Sequence, residues 1–131
     1  MGMEFLSTKL ASGRPAVFVK VTGLVTGDDA TRLKQNVAPG APYAGLPMLT
    51  NVAGDADFSM EARKGFADMG DATGDAPIAV VMTSAPLRMV INFIVKAGNL
   101  KRKKPTNLKF FAEESEARKW LDAELDKPGG A

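Results

Sequence analysis

The segment IAVVMTSAPLRMVINFIVKA, residues 78–97, predicts a buried strand followed by an apolar helix. Its first five residues form a continuous apolar run rich in β-branched side chains, which is typical of a central parallel strand covered on both faces. Ser84 is expected to cap the helix that follows, with Pro86 in its first turn, where a missing N–H is tolerated. The segment therefore predicts a strand–helix unit of a parallel sheet.

Four further strands and three further helices are predicted around this unit. The residues at 16–22 alternate between apolar and polar and predict a strand, which should form a hairpin with a strand at 4–10. The other two strands are predicted at 48–52 and 108–111. One helix is predicted from a capping box at Thr26 and Asp29 to about residue 37, and another at 113–125. The remaining helix is capped by Asp57 or Ser59 and runs through Met69 to a stop at Gly70.

The order of these elements, β-β-α-β-α-β-α-β-α, predicts the fold class. Strand–helix alternation after an opening hairpin indicates an α/β fold, here a mixed, mostly parallel five-stranded sheet with about four helices. At 131 residues, we expect a single domain over residues 1–126 and a frayed tail at 127–131.

Positive charge is concentrated in one part of the chain. The chain has 17 basic and 15 acidic residues, yet residues 76–112 contain no acid. The bases of this segment are Arg88, Lys96, Lys101, Arg102, Lys103, Lys104 and Lys109. An apolar helix that runs into a basic cluster favours a surface that meets something anionic with an apolar part.

The predicted helix at 87–97 is more apolar than a core-facing helix needs to be. Arg88, Asn92 and Lys96 form one narrow polar strip, and the apolar arc spans roughly 240°, against about 100° for an ordinary core-facing stripe. One flank must therefore meet something other than the sheet. Three explanations stay open: neighbouring helices cover both flanks, a second copy of the chain forms a homodimer there, or the helix contacts a lipid, a fatty ligand or a membrane.

The basic cluster at 101–104 also has more than one interpretation. Bases near a helix C-terminus in a solvated loop are favoured by the helix dipole alone. Anionic lipid contributes on the order of 1 kcal/mol per nearby Lys or Arg. Nucleic acid is disfavoured, because the nearest aromatic residues, Phe110 and Phe111, lie in a predicted buried strand and no RNA- or DNA-binding motif is present.

The composition excludes several kinds of catalytic and metal site. The chain has no histidine and no cysteine, which excludes a Ser-His-Asp triad and histidine or thiolate metal sites. The acids around Asp55 and Asp57 imitate the start of a calcium loop, but Met60 stands where that loop requires glycine. We expect no enzyme activity, no cofactor and no metal.

The chain resembles the SpoIIAA-like branch of the STAS superfamily, which is also described as STAS/SEC14-like. Four motifs carry the resemblance: VFVKVTG at 17–23 before TGDD at 26–29, LTNV at 49–52 leading to FSMEA at 58–62, IAVVM at 78–82, and Phe110-Phe111 leading to Ala117-x-x-Trp120-Leu121. The resemblance implies a non-enzymatic domain. For this branch it also implies membrane association and binding of an apolar ligand between the second and third helices.

The resemblance also implies an alternative function as an anti-sigma-factor antagonist. The classical antagonists carry a phosphorylatable serine in an Asp-Ser-Ser/Thr-Gly motif that opens the second helix. The corresponding stretch here is Asp57-Phe58-Ser59-Met60, which lacks the glycine and the double hydroxyl. The alternative is a protein-interaction module with a protein partner and with phosphorylation at Ser59, although an N-cap role explains this serine by itself.

These observations lead to one leading hypothesis, a binding module for an apolar or lipid-like ligand that associates with anionic membranes. The predicted ligand and membrane site consists of Phe66, Met69, Leu87, Val90, Ile91, Phe93, Ile94, Val95, Lys101, Arg102, Lys103 and Lys104. The absence of a secretory signal and of cysteine favours the cytoplasm, with peripheral binding to the inner face of the membrane.

Overall fold

The computed structural model describes residues 2–69 and 74–127, in which the chain forms seven strands and four helices. In chain order they are β1 (Gly2–Lys9), β2 (Pro15–Thr22), β3 (Leu24–Val25), α1 (Gly27–Val37), β4 (Met48–Val52), β5 (Asp57–Phe58), α2 (Met60–Ala67), β6 (Ile78–Val81), α3 (Ala85–Asn99), β7 (Leu108–Phe111) and α4 (Glu114–Leu125).

Five of the strands form one mixed sheet in the order β1-β2-β4-β6-β7. The hairpin strands β1 and β2 pair antiparallel, and the other neighbours pair in parallel. The predicted α/β class and the predicted five-stranded sheet are confirmed. The strands β3 and β5 form a separate two-stranded parallel sheet that we did not predict, because strands of two residues carry no periodicity.

The helices cover the sheet from both sides. Alternate residues of a strand point to opposite faces, so Val17 and Val19 of β2 pack in one buried cluster with Leu33 of α1. The other buried cluster joins Leu49 of β4 to Leu121 of α4. The helices α1, α2 and α3 therefore form one layer, and α4 covers the opposite face.

Serine side chains start α2 and α3, as the sequence predicts. The Ser59 hydroxyl accepts the Ala62 N–H at 3.1 Å, and the Ser84 hydroxyl accepts the Leu87 N–H at 3.3 Å. Asp57, the other predicted cap for α2, lies in β5. At the start of α1, the Asp29 carboxylate accepts the Thr26 N–H at 2.9 Å, and the predicted capping box of Thr26 and Asp29 is present.

Two helix ends differ from the prediction or lie outside the described residues. The helix α2 ends at Ala67, two residues before the predicted Met69, because the last turn closes with the Asp68 and Met69 N–H groups bonded to nearby carbonyls. The predicted stop at Gly70 lies outside the described residues. So do residues 128–131 of the predicted tail, which follow α4 and its C-cap Asp126.

Candidate functional site

An apolar cavity of about 160 Å³ lies between the sheet and the helices α2 and α3. Its lining residues are Met3, Val21, Leu33, Met48, Thr50, Val52, Phe58, Phe66, Met69, Ile78, Val80, Ile91, Ile94, Val95, Gly98, Arg102, Thr106 and Leu108. Protein interiors pack closely and contain few voids larger than a water molecule. Apolar cavities of about 150 Å³ can stay dry and bind a molecule such as benzene.

The floor of the cavity is one face of the sheet. Met48, Thr50 and Val52 of β4 line it, while Leu49 between them belongs to the cluster under α4. The neighbouring strand β6 contributes Val80 in the same way. This alternation is the ordinary two-residue period of a strand, and it makes a largely apolar floor from residues that are not adjacent in sequence.

The walls come from α2, from the residues just after it, and from α3. Phe66 packs edge-on against Phe58, with 6.2 Å between the ring centroids. The small sheet of β3 and β5 places Phe58 here, directly before α2 begins. From α3, Ile91 and Ile94 line the cavity one helical turn apart, as residues on one helix face do.

Arg102 lines one end of the cavity and is held there by several hydrogen bonds. Its side chain is only 3% exposed. The guanidinium donates to the Gly74 carbonyl at 2.7 Å and to the Lys104 carbonyl at 3.0 Å, and it pairs with the Asp75 carboxylate at 3.3 Å. Arg102 therefore joins the loop after α3 to the loop before β6 and leaves a positive charge beside the cavity.

A second polar contact orders the same loop. The side-chain carbonyl of Asn99, the last residue of α3, accepts both the backbone N–H of Thr106 at 2.9 Å and its hydroxyl at 3.0 Å. Because Thr106 also lines the cavity, this end combines a bound hydroxyl with the charge of Arg102. The remaining lining is almost entirely hydrocarbon.

A solved structure resembles this arrangement of strands and helices. It is an uncharacterised protein of the DUF3478 family with a SpoIIAA-like fold, from Shewanella loihica PV-4. The two structures match with a TM-score of 0.60 and 15% sequence identity, over 92% of this chain and 93% of that chain. This chain has a SpoIIAA-like fold. No family model and no curated protein matches the sequence. At this identity the likeness establishes the fold, and the predicted SpoIIAA-like architecture is confirmed.

The SpoIIAA-like fold distributes the sequence-predicted site residues over three places. The cavity contains Phe66, Met69, Ile91, Ile94, Val95 and Arg102. Leu87 is buried in the core, and Val90 is half-buried against it. Phe93, by contrast, is 77% exposed on the outside of α3. The sequence-predicted site lacks the floor residues, such as Thr50 and Val80. Alternation along a strand shows which residues share a face of the sheet, but it does not show what lies above that face.

On the outside of the SpoIIAA-like fold, α2 and α3 form a second groove, of about 510 Å³. Its lining residues are Met60, Arg63, Lys64, Ala67, Met89, Val90, Phe93, Ile94 and Ala97. Met60 and Met89 are each 72% exposed. Neighbouring helices therefore cover one flank of α3 and leave the flank of Met89 and Phe93 exposed. Ile94 lines both the groove and the cavity.

The predicted basic cluster does not form one uniform surface. The Lys101 ammonium pairs with the Asp68 carboxylate after α2, and this hydrogen bond lowers the pKa of the Asp68 carboxyl below its ordinary value. Arg102 is turned inward. Lys103 and Lys104 are exposed. The sequence distinguishes Arg102 only as the arginine in a run of lysines, and its inward turn depends on the Gly74 carbonyl of a distant loop.

The environment of Ser59 fits a helix cap. Its hydroxyl already accepts the Ala62 N–H, and the acids Asp57 and Glu61 lie beside it in sequence. A phosphate at this position would meet the favourable end of the helix dipole but also these acids. Within residues 2–69 and 74–127, no group of three or more acidic residues is arranged to hold a metal ion.

Proposed function

We propose that this protein is a non-enzymatic binding module that holds an apolar or lipid-like ligand in the cavity between the sheet and α2 and α3. The cavity itself is the observation that carries the proposal. It is lined almost entirely by hydrocarbon, and apolar surface gains roughly 25 cal/mol for each Å² removed from water. A ligand that fills the space would remove apolar surface of the protein and of itself from water at the same time.

The chemistry of the lining supports binding without catalysis. Of the lining residues that the structure describes, Arg102 alone has an ionisable side chain. A guanidinium stays protonated in proteins, so it does not serve as a general acid or base near neutral pH. The hydroxyls of Thr50 and Thr106 have no histidine or cysteine to activate them, because the chain contains neither.

We propose further that the outer face of α3 and the loop after it bind peripherally to anionic membranes. Met89 and Phe93 offer exposed apolar side chains on a helix, and Lys103 and Lys104 lie on the loop that follows it. A helix with apolar groups on one side and bases nearby is suited to a membrane interface. Within the described residues, no helix is both long enough and apolar enough to cross a membrane.

Ligand binding is tested with decanoate as the probe, by isothermal titration calorimetry on the full chain. Val95→Phe adds a ring to the wall of the cavity and is expected to weaken decanoate binding at least about tenfold, because it fills the space. Met89→Phe adds a ring to the exposed face of the same helix and should bind as the wild type does. Wild-type protein that does not bind decanoate, or equal binding by Val95→Phe, contradicts the proposal.

Membrane binding is tested by co-sedimentation with phosphatidylcholine vesicles that contain or lack phosphatidylglycerol, at low and high salt. The double variant Lys103→Glu, Lys104→Glu is expected to lose binding to the anionic vesicles, and high salt should have the same effect on wild type. The matched control is Lys20→Glu, Lys119→Glu, which makes the same charge change at exposed positions on β2 and α4. Equal loss in the control variant would show that net charge, and not this loop, governs binding.

A further inference from the structure

One hydroxyl on the floor of the cavity bonds to none of the residues that the structure describes. Thr50 lies in β4, the middle strand of the sheet, and faces the cavity together with Met48 and Val52. Only 9% of the residue is exposed. The hydroxyls of Thr106 and Ser59, by contrast, are hydrogen-bonded. Among the described residues, none bonds to the hydroxyl of Thr50.

The Thr50 oxygen opens onto the cavity. In residues 2–69 and 74–127, every fully enclosed side-chain nitrogen or oxygen has a hydrogen-bond partner. An unpartnered oxygen on a residue that is nine-tenths buried must therefore be reachable from an open space. The strand β4 is paired on both sides, with β2 and β6, so the open space beside this side chain is the cavity.

Packing alone does not explain a threonine at this position. A buried hydroxyl that lacks a partner is unfavourable, because it has lost its hydrogen bonds to water. Valine has almost the same shape and is equally suited to a strand. A partner carried by a bound molecule would remove the penalty and make the hydroxyl useful.

We infer that Thr50 hydrogen-bonds an oxygen atom of the ligand inside the cavity, an inference that rests on the ligand-binding function proposed above. The ligand class is an apolar molecule that bears a hydroxyl or carbonyl oxygen, in preference to a plain hydrocarbon of the same shape. A threonine hydroxyl both donates and accepts, so either kind of oxygen fits. Sites that hydrogen-bond a hydroxyl discriminate against analogues that lack it.

Thr50 acts separately from the charged end of the cavity. In register it pairs with Val80 of β6, which pairs with Phe110 of β7. Arg102 and Thr106 precede β7 in the chain. They therefore lie two strands away from β4, beyond the first residue of β7. The contribution of Thr50 can therefore be measured with neutral probes that carry no charged group for Arg102.

The test uses phenol and toluene, which differ by a hydroxyl in place of a methyl group. Both are titrated into wild type and into Thr50→Val, and binding is followed through the NMR shifts of the Val80 and Ile91 methyl groups. Wild type is expected to favour phenol over toluene about three- to tenfold more than Thr50→Val does, as one neutral hydrogen bond predicts. Thr22→Val, in β2 on the opposite face, is the matched control and should keep the wild-type ratio.

The outcomes separate this inference from the proposed function. If both probes bind and the ratio of their dissociation constants is the same in wild type and Thr50→Val, the cavity binds apolar molecules and the inference about Thr50 is wrong. If neither probe shifts the cavity methyl groups in either protein, both the cavity function and the inference are overturned. If Thr22→Val changes the ratio of the phenol and toluene dissociation constants as much as Thr50→Val does, the role of Thr50 is also overturned.

Discussion

The two faces of the sheet carry their helices in different ways. On one face α4 packs directly on the sheet, where Ala79 of β6 and Ala117 of α4 are both fully buried in one cluster. On the other face, small residues lie where helices meet each other. A Cβ atom added to Gly65 of α2 would lie only 2.8 Å from the Cβ atom of Ala30 in α1.

The contact between α2 and α3 also involves a glycine, but it is less tight. A Cβ atom added to Gly98 of α3 would lie 3.4 Å from the carbonyl oxygen of Ala67 in α2. Small residues thus bring α4 close to the sheet, whereas in the other layer they bring helices close to one another. The sheet beneath that layer is met by larger side chains such as Phe66, and space remains between them. The face whose helices approach one another through small residues is the face that encloses the cavity.

The largest expected effect comes from a truncation on the tightly packed face. Leu121→Ala removes a side chain with no exposed surface and should lower the free energy of unfolding by about 3 kcal/mol, through lost burial and a new cavity. Ile91→Ala removes as many carbon atoms from the wall of the existing cavity. Its loss should be smaller by at least about 1 kcal/mol, because less packing surrounds it.

Urea denaturation of the two variants measures this difference. Equal losses would mean that the lining of the cavity is as well packed as the cluster under α4. That result would remove the contrast between the two faces.

The next effect tests the contact between α1 and α2. Gly65→Ala places a methyl group against Ala30 and should destabilise the fold by about 1–2 kcal/mol, although alanine normally favours a helix over glycine by about 1 kcal/mol. Gly98→Ala meets its neighbour at an ordinary contact distance and should be neutral or stabilising. Thermal unfolding of both variants gives the comparison, and a stabilised Gly65→Ala would show that α1 and α2 can separate without loss.

The sequence predicted the layers well and the cavity only in part. The apolar run at 78–82 and the alternation at 16–22 define buried strands, because burial on one or two faces leaves a direct pattern in the chain. The cavity depends on how the helices of one layer pack against each other above the sheet. That packing involves pairs such as Gly65 and Ala30, which meet only after folding. The inward turn of Arg102 likewise depends on carbonyls of a distant loop that no local pattern reveals.

A smaller effect of opposite sign is expected at the cavity floor. Thr50→Val replaces an unpartnered hydroxyl with a methyl group and should raise the free energy of unfolding of the ligand-free protein by about 1 kcal/mol. Thr22→Val on the opposite face should change it by less than about 0.5 kcal/mol. Urea denaturation checks both values. A loss of stability in Thr50→Val would mean that the hydroxyl already has a stabilising partner in the folded protein.

The smallest effect concerns the polar contact that ties α4 to the sheet edge. The Glu124 carboxylate pairs with Lys127 and accepts a hydrogen bond from the Asn107 side chain at 2.8 Å, just before β7. The Lys127 hydrogen bond and then the Asn107 one lower the pKa of Glu124 below its ordinary value of 4.5. Because the folded pKa is the lower one, the charged carboxylate stabilises the fold at neutral pH. This contribution is lost as the pH falls below about 4.5 and through the folded pKa.

Glu124→Gln isolates this contribution from the apolar packing of α4. The variant should be less stable than wild type at neutral pH, and the difference should shrink as the pH falls through the folded pKa of Glu124, because wild type loses its own advantage there. Urea denaturation across this pH range measures the difference. A difference that stays constant with pH would mean that the charge contributes nothing. The tight face would then be held by Ala117, Leu121 and their neighbours alone, and the contrast between the two faces would be one of packing only.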